Sequence, residues 1–210
     1  MSKDWVGNTN SVYKIIAATN HSDAEREQRD FYATDPIAID KLVSVELKNM
    51  SHHIYEPSAG NGHLSQRLKY FFFDVCSADI IQRDYPLDYI CNFLENNSEV
   101  ERYVKLFSAD ILTNPPYNKA KEFVLKALDV VREGCNVYMF LKLTFLEGKA
   151  RYKELFSKYP PRCVYVFSER VMCAKNGEFD KVKESGGSAV AYAWFCWTKG
   201  YKGDTVVKWI

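Results

Sequence analysis

The chain has 210 residues, 47% hydrophobic and 26% charged, which suits one domain with a substantial core and excludes a disordered polyelectrolyte. Its net charge of +1 hides a division: residues 1–118 balance to −6, residues 119–183 to +6 and the remainder to +1. No apolar run reaches the roughly 18 residues of a membrane span, and Met1-Ser2-Lys3-Asp4 lacks a signal-peptide shape.

Six scattered cysteines without a C-x-x-C pair argue against a zinc site or disulfide framework, and for a reducing cytoplasm. The basic stretch reads either as solvated helix faces or as a surface for a polyanion.

In chain order, residues 1–30 are polar and read as an arm, or as a lid that orders on a ligand. Apolar spacing predicts a helix from Pro36 to Met50, with Asp35 as its N-cap and proline in the first turn. A strand follows over His52–Glu56, a turn over Ser58–Gly62, a helix over His63–Phe72 and a strand over Val75–Ile80. Leu106–Thr113 reads as a strand and Ala120–Arg132 as a helix ended near Gly134. The dense apolar run Asn136–Phe145 suits a central strand buried on both faces. Its Lys142 reads as a snorkelling edge residue rather than a base. A helix over Lys149–Lys158, a strand over Cys163–Phe167, and closing strands over Ala189–Trp197 and Val206–Ile210 complete the pattern. The last two are expected to form an antiparallel hairpin. Strands separated by helices predict an α/β sheet.

Two segments carry chemistry. Glu56-Pro57-Ser58-Ala59-Gly60-Asn61-Gly62 lies where a first strand turns into its helix, with glycines at alternate positions. Such a turn lets backbone approach a ligand closely, in the crevice where nucleotide-like cofactors bind. Asp79, 19 residues after Gly60, offers a carboxylate to two ribose hydroxyls. Ser65 stands where a dinucleotide fingerprint has its third glycine, which counts against NAD. A plain tight turn is the structural alternative.

Asn114-Pro115-Pro116-Tyr117 follows an apolar strand. Two prolines stiffen it and offer carbonyls without N–H donors, Asn114 adds an amide acceptor, and Tyr117 a flat ring. Such a set suits a planar substrate with an exocyclic amino group, whose two hydrogens the Asn114 oxygen and Pro115 carbonyl would hold. The nitrogen lone pair then faces a sulfonium methyl, and positioning carries the reaction. A Pro-Pro turn after a strand is the alternative.

From Phe31 to Ile210 the sequence resembles the class I S-adenosylmethionine-dependent DNA adenine-N6 methyltransferases, especially the compact type of phages and mobile elements. Phe31-Tyr32-Ala33-Thr34-Asp35-Pro36 resembles the family's early motif, which implies Tyr32 and Thr34 as cofactor contacts. Glu56, Pro57, Ser58, Gly60 and Gly62 match its glycine motif, and Asp79 with Ile80 its ribose and adenine contact. Asn92 and Phe93 resemble the next motif, with asparagine where aspartate is usual.

The resemblance implies Asn114, Pro115, Pro116 and Tyr117 as the catalytic tetrapeptide, with Tyr117 stacking on the target base. It also implies a Rossmann-like, mostly parallel seven-stranded sheet in the order 3-2-1-4-5-7-6. Helices cover both faces, one antiparallel strand lies near the C-terminus, and residues 31–210 form the domain. Tyr192, Trp194, Phe195 and Trp197 suit that antiparallel strand, as core residues rather than a stacking platform.

Similar tetrapeptides serve enzymes acting on adenine in DNA, adenine or guanine in RNA, and the glutamine amide of release factors. The early motif, the basic stretch behind the tetrapeptide and the lack of an N-terminal helical substrate domain favour duplex DNA with base flipping. Residues 168–187 are the candidate recognition loop, where lysines such as Lys175 would bind phosphate and Arg170 or Asn176 read a base edge. A solvated loop is equally compatible with these residues. A non-catalytic nucleic-acid-binding module and a Rossmann-like oxidoreductase are the competing classes.

Overall fold

The structure, a computed structural model, describes residues 32–175 and 190–210. The expected arm over 1–30, Phe31, Asn176 and the rest of the candidate recognition loop from 177 to 187 lie outside the described residues.

The main sheet contains β2 (His53–Glu56), β3 (Asp74–Asp79), β4 (Tyr89–Ile90), β5 (Asp110–Thr113), β6 (Asn136–Lys142), β7 (Cys163–Val166), β9 (Tyr192–Thr198) and β10 (Val206–Trp209). Their order across the sheet is β10-β7-β9-β6-β5-β2-β3-β4. All neighbours run parallel except β9, which is antiparallel to both β6 and β7. The sheet therefore has eight strands, not seven. The helices are α1 (Ile37–Glu46), α2 (His63–Tyr70), α3 (Ser98–Phe107), α4 (Ala120–Val130) and a short α5 (Lys149–Arg151) running into a π turn over Tyr152–Phe156. A separate antiparallel ribbon joins β1 (Tyr32–Thr34) to β8 (Cys173–Lys175).

Period-2 alternation divides the sheet between two cores. Val137, Met139 and Leu141 of β6, with Ala193, Phe195 and Trp197 of β9, pack on one face with Val104 of α3 and Val124 of α4. Tyr138 and Phe140, with Tyr192, Trp194 and Cys196, pack on the other with Leu42 of α1 and Leu68 of α2. Helices thus cover both faces, and the central strands read as unbroken apolar runs for that reason.

Several sequence expectations are corrected. The Leu106–Thr113 strand begins only at Asp110; Leu106 and Phe107 end α3 instead. That helix starts at Asn97, whose side-chain oxygen accepts the Glu99 and Val100 N–H groups at 3.1 and 3.2 Å. Ser108, at φ 49°, stops it. The Asn136–Phe145 strand ends at Lys142, where a 3-10 turn begins, and the Lys149–Lys158 helix is short and π-wound. The closing hairpin does not form. Both edges of β9 are already bonded, so β10 crosses over and adds to the outer edge of β7, parallel to it. The expected Pro36–Met50 helix is shorter, Ile37–Glu46, with Pro36 at its N-cap position; Asp35, one residue earlier, still accepts the Ile37 N–H at 3.0 Å.

A buried polar cluster ties α1 to the sheet. Glu46, fully buried, accepts bonds from Arg162 at 2.6 Å, Tyr138 at 3.3 Å and the Tyr165 hydroxyl. Burial pushes its carboxyl up, but Arg162 and Tyr165 together outweigh that and hold it below the usual range. All six cysteines are free thiols. Among the described residues no helix is long and apolar enough to cross a membrane.

Candidate active site

The glycine turn opens from the C-terminal end of β2. Gly60 and Gly62 have φ of 54° and 73°, the left-handed region where a Cβ is strained. Gly62 is also the residue from which α2 starts, and a Cβ there would lie 2.3 Å from the Tyr85 ring, which folds over the turn. Tyr85 in turn accepts a bond from Lys69 at 3.0 Å. Asp79, at the end of the neighbouring β3, accepts the Gly60 N–H at 2.8 Å and lies 3.8 Å from Arg83. Its carboxylate thus braces the turn, and two oxygens with about four lone-pair positions leave room for a ligand's hydroxyls. Ile80 beside it is 60% exposed, an apolar surface at the strand end.

Glu56 closes β2 but is buried, accepting a hydrogen bond from the Ser65 hydroxyl of α2. Burial raises its carboxyl to about 8. Pro57 is buried and Ser58 half-buried in the turn itself. Asn61, between the two glycines, has a buried amide oxygen with no hydrogen-bond partner among the described residues. An orphaned acceptor of this kind suits a ligand's N–H or O–H donor. Asn92 is exposed, and its oxygen accepts the Leu94 N–H at 3.1 Å while its nitrogen donates to Glu95. Phe93 is a core residue, 4% exposed, between Tyr55 and Phe123.

The tetrapeptide leaves β5, the strand on the other side of β2 from β3. Prolines cannot donate to a ladder, so β5 stops at Thr113. The Pro116 carbonyl then accepts the Lys119 N–H at 2.8 Å, starting a 3-10 turn that leads into α4. Pro115 is buried and Pro116 exposed. The Asn114 Nδ2 donates to the Thr34 hydroxyl at 2.9 Å and to the Cys173 thiol at 3.5 Å. Thr34 is buried, and Tyr32 lies two residues earlier on β1, opposite Lys175 of β8.

Tyr117 is half-buried and its hydroxyl lies 3.4 Å from the same Cys173 sulfur. Its ring lies 5.9 Å from that of Tyr192, and the Lys142 ammonium sits 5.0 Å from its centroid. Burial, with Cys173 and Tyr192 adding to it, holds the phenol protonated far above its ordinary range. Arg170 is exposed, three residues before β8.

Comparison with solved structures places this architecture. A candidate class I S-adenosylmethionine-dependent methyltransferase from Listeria monocytogenes superposes with a TM-score of 0.55 at 10% identity, over 83% of this chain and 65% of that one. A candidate O-methyltransferase from Agrobacterium tumefaciens gives 0.54 at 12% identity, over 83% and 85% of the two chains. The modification subunit of a candidate type I restriction enzyme from Vibrio vulnificus gives 0.57 at 12% identity, over 88% of this chain and 48% of that one. The chain has the class I methyltransferase fold. A scan of protein families finds none that matches, and a search of curated proteins finds no relative.

Within this methyltransferase fold, the glycine turn and the tetrapeptide open from adjacent parallel strands, β2 and β5. Positive-φ glycines, the Asp79 carboxylate, the exposed Ile80 and the orphaned Asn61 oxygen fit S-adenosylmethionine, which carries hydroxyls, a flat adenine and an ammonium group. Sequence reasoning missed Cys173, Tyr85 and the Asn61 oxygen. For Cys173 no local signal exists, since it enters the site only by pairing with β1.

Proposed function

We propose that the chain is an S-adenosylmethionine-dependent methyltransferase that modifies the N6 amino group of adenine in DNA. The observation that carries this reading is the Asn114 amide and Pro115 carbonyl at the tip of β5, beside the Tyr117 ring and one strand from the glycine turn. The order of motifs and the basic surplus after the tetrapeptide support DNA as the substrate. So does the fold likeness to a restriction-modification subunit.

The cofactor would be held by the Gly60–Gly62 turn, Asn61, Asp79 and Ile80, with Tyr32, Thr34, Glu56, Pro57, Ser58, Asn92 and Phe93 implied around it by the motifs. When bound, it supplies an electrophilic sulfonium methyl. Asn114 and Pro115 accept the two hydrogens of the amino group, which turns the nitrogen lone pair out of the ring plane and toward that methyl. Tyr117, neutral across the working pH range, offers its ring to a base taken out of the duplex, offsetting part of an unstacking cost of a few kcal/mol. No strong base is required, because the methylated nitrogen is acidic enough to release its proton to solvent. Arg170 ahead of β8, Lys175 at its end and Asn176 after it would contact the duplex.

Incubation with tritiated S-adenosylmethionine and unmethylated genomic DNA, RNA or release factor tests the reading. Label in DNA as N6-methyladenine is the expected result. Label confined to RNA or protein, or none at all, rejects it.

A further inference from the structure

We propose that Lys142 binds the DNA backbone phosphate next to the target base, its ammonium placed beside the tetrapeptide for that anion. The inference rests on the DNA-methyltransferase reading and extends it to a residue outside the motifs.

Lys142 ends β6, which is bonded to β5 on one side and β9 on the other. It is therefore not an edge residue whose stem lies along an outer strand. Its Nζ lies 5.0 Å from the Tyr117 ring centroid, and among the described residues it forms no ion pair with a carboxylate. A half-buried ammonium beside an aromatic ring, with no carboxylate partner among the described residues, gives up solvation that a bound anion restores.

The proposed reaction brings two anions to the site, the cofactor carboxylate and the substrate phosphate. Strand order separates them. The glycine turn follows β2, the tetrapeptide follows β5, and Lys142 ends β6, so the tetrapeptide lies between the turn and the ammonium. Two strand spacings amount to about 10 Å. The ammonium thus stands on the side of the tetrapeptide remote from the cofactor turn. Exposed Lys119 and Lys149, on the segments that follow β5 and β6, add positive charge at the same end of the sheet. The same placement lets Lys142 hold the Tyr117 ring by a cation–π contact until a base arrives.

The test compares wild type, Lys142→Gln and Lys142→Arg on unmethylated genomic DNA from a host lacking adenine methylation, across a range of KCl concentrations. Lys142→Gln should raise KM for DNA about tenfold and flatten the plot of log kcat/KM against log salt by about 0.9, the contribution of one phosphate contact. Lys142→Arg should restore most of both. Binding of S-adenosylmethionine, measured by calorimetry, should be the same in all three. An unchanged salt slope in Lys142→Gln overturns the proposal. Weakened cofactor binding also does so, by assigning the ammonium to the cofactor carboxylate. A wild type that transfers no methyl to DNA rejects the functional reading and this inference together. Methylation by wild type with an indistinguishable Lys142→Gln rejects only the role of Lys142.

Discussion

Thr34 and Cys173 stand directly opposite each other across the β1–β8 ladder, and the Asn114 amide donates to both, at 2.9 and 3.5 Å. Cys173 also reaches the Tyr117 hydroxyl. One cross-strand pair therefore orients two side chains of the tetrapeptide. It also connects the early motif to residues 168–187, the candidate recognition loop, of which Cys173–Lys175 form strand β8.

Replacing Asn114 with alanine should cut methyl transfer by roughly a hundredfold or more, the scale of losing one preorganised polar group. Cofactor binding should persist, because the glycine turn and Asp79 belong to other strands. Tritium transfer and calorimetry on the same preparation check this. Parallel loss of both would make Asn114 structural.

The Cys173 thiol should matter through orientation. Cys173→Ala removes one neutral hydrogen-bonding atom shared by Asn114 and Tyr117, so kcat should fall about two- to tenfold, as for loss of one such bond. Cys173→Ser, which keeps a polar atom, should recover part of that loss. Thr34→Val should act in the same direction. Equal kcat in all four proteins would separate the ribbon from catalysis.

Gly62→Ala should destabilise the protein by about 1–2 kcal/mol from the left-handed backbone alone, and by more because the new Cβ meets the Tyr85 ring. Denaturant unfolding measures this. The double variant Gly62→Ala/Tyr85→Ala should lose less than the sum of the two singles, since removing the ring removes the clash.

The Glu56 carboxyl gives stability a pH dependence with a definite sign. Burial raises its pKa from 4.5 to about 8 in the folded state. Between those values the folded protein holds a proton that the unfolded chain has lost, so this group's contribution falls as pH rises through that window. Glu56→Gln should therefore melt increasingly above wild type from pH 5 to pH 8. A constant difference across that range would show that Glu56 is ionised throughout.

Glu46 acts in the opposite sense. Its lowered pKa favours the folded state above the ordinary glutamate range, and that contribution is lost as pH falls. Glu46→Gln leaves Arg162 without its carboxylate, with a quarter of that side chain in solvent, and should cost about 3 kcal/mol, the lower end for a broken buried pair. Chemical denaturation at pH 7 tests the size of the loss.

The α/β alternation and the positions of the glycine turn and tetrapeptide were readable because each depends on local chemistry. Helix and strand periods, positive-φ glycines and proline pairs act within a few residues. Local patterning failed at α3, where apolar Leu106 and Phe107 looked like the beginning of β5, although Asn97 and two early glutamates carried a helix-start signal. It failed at β10 for a different reason. Val206–Trp209 has strand character, but its partner depends on which edges remain open once β9 is inserted between β6 and β7.

The sequence by itself determined an α/β domain with a glycine turn after its first sheet strand and a stiff, acceptor-rich tetrapeptide after β5. Only the tertiary structure decided that Thr34, Asn114, Tyr117, Lys142, Cys173 and Tyr192 share one neighbourhood. Residues 34 and 173 meet through backbone pairing across 139 positions. A pairing over that separation depends on tertiary packing that brings the two strands together, which the local pattern of either strand alone does not specify.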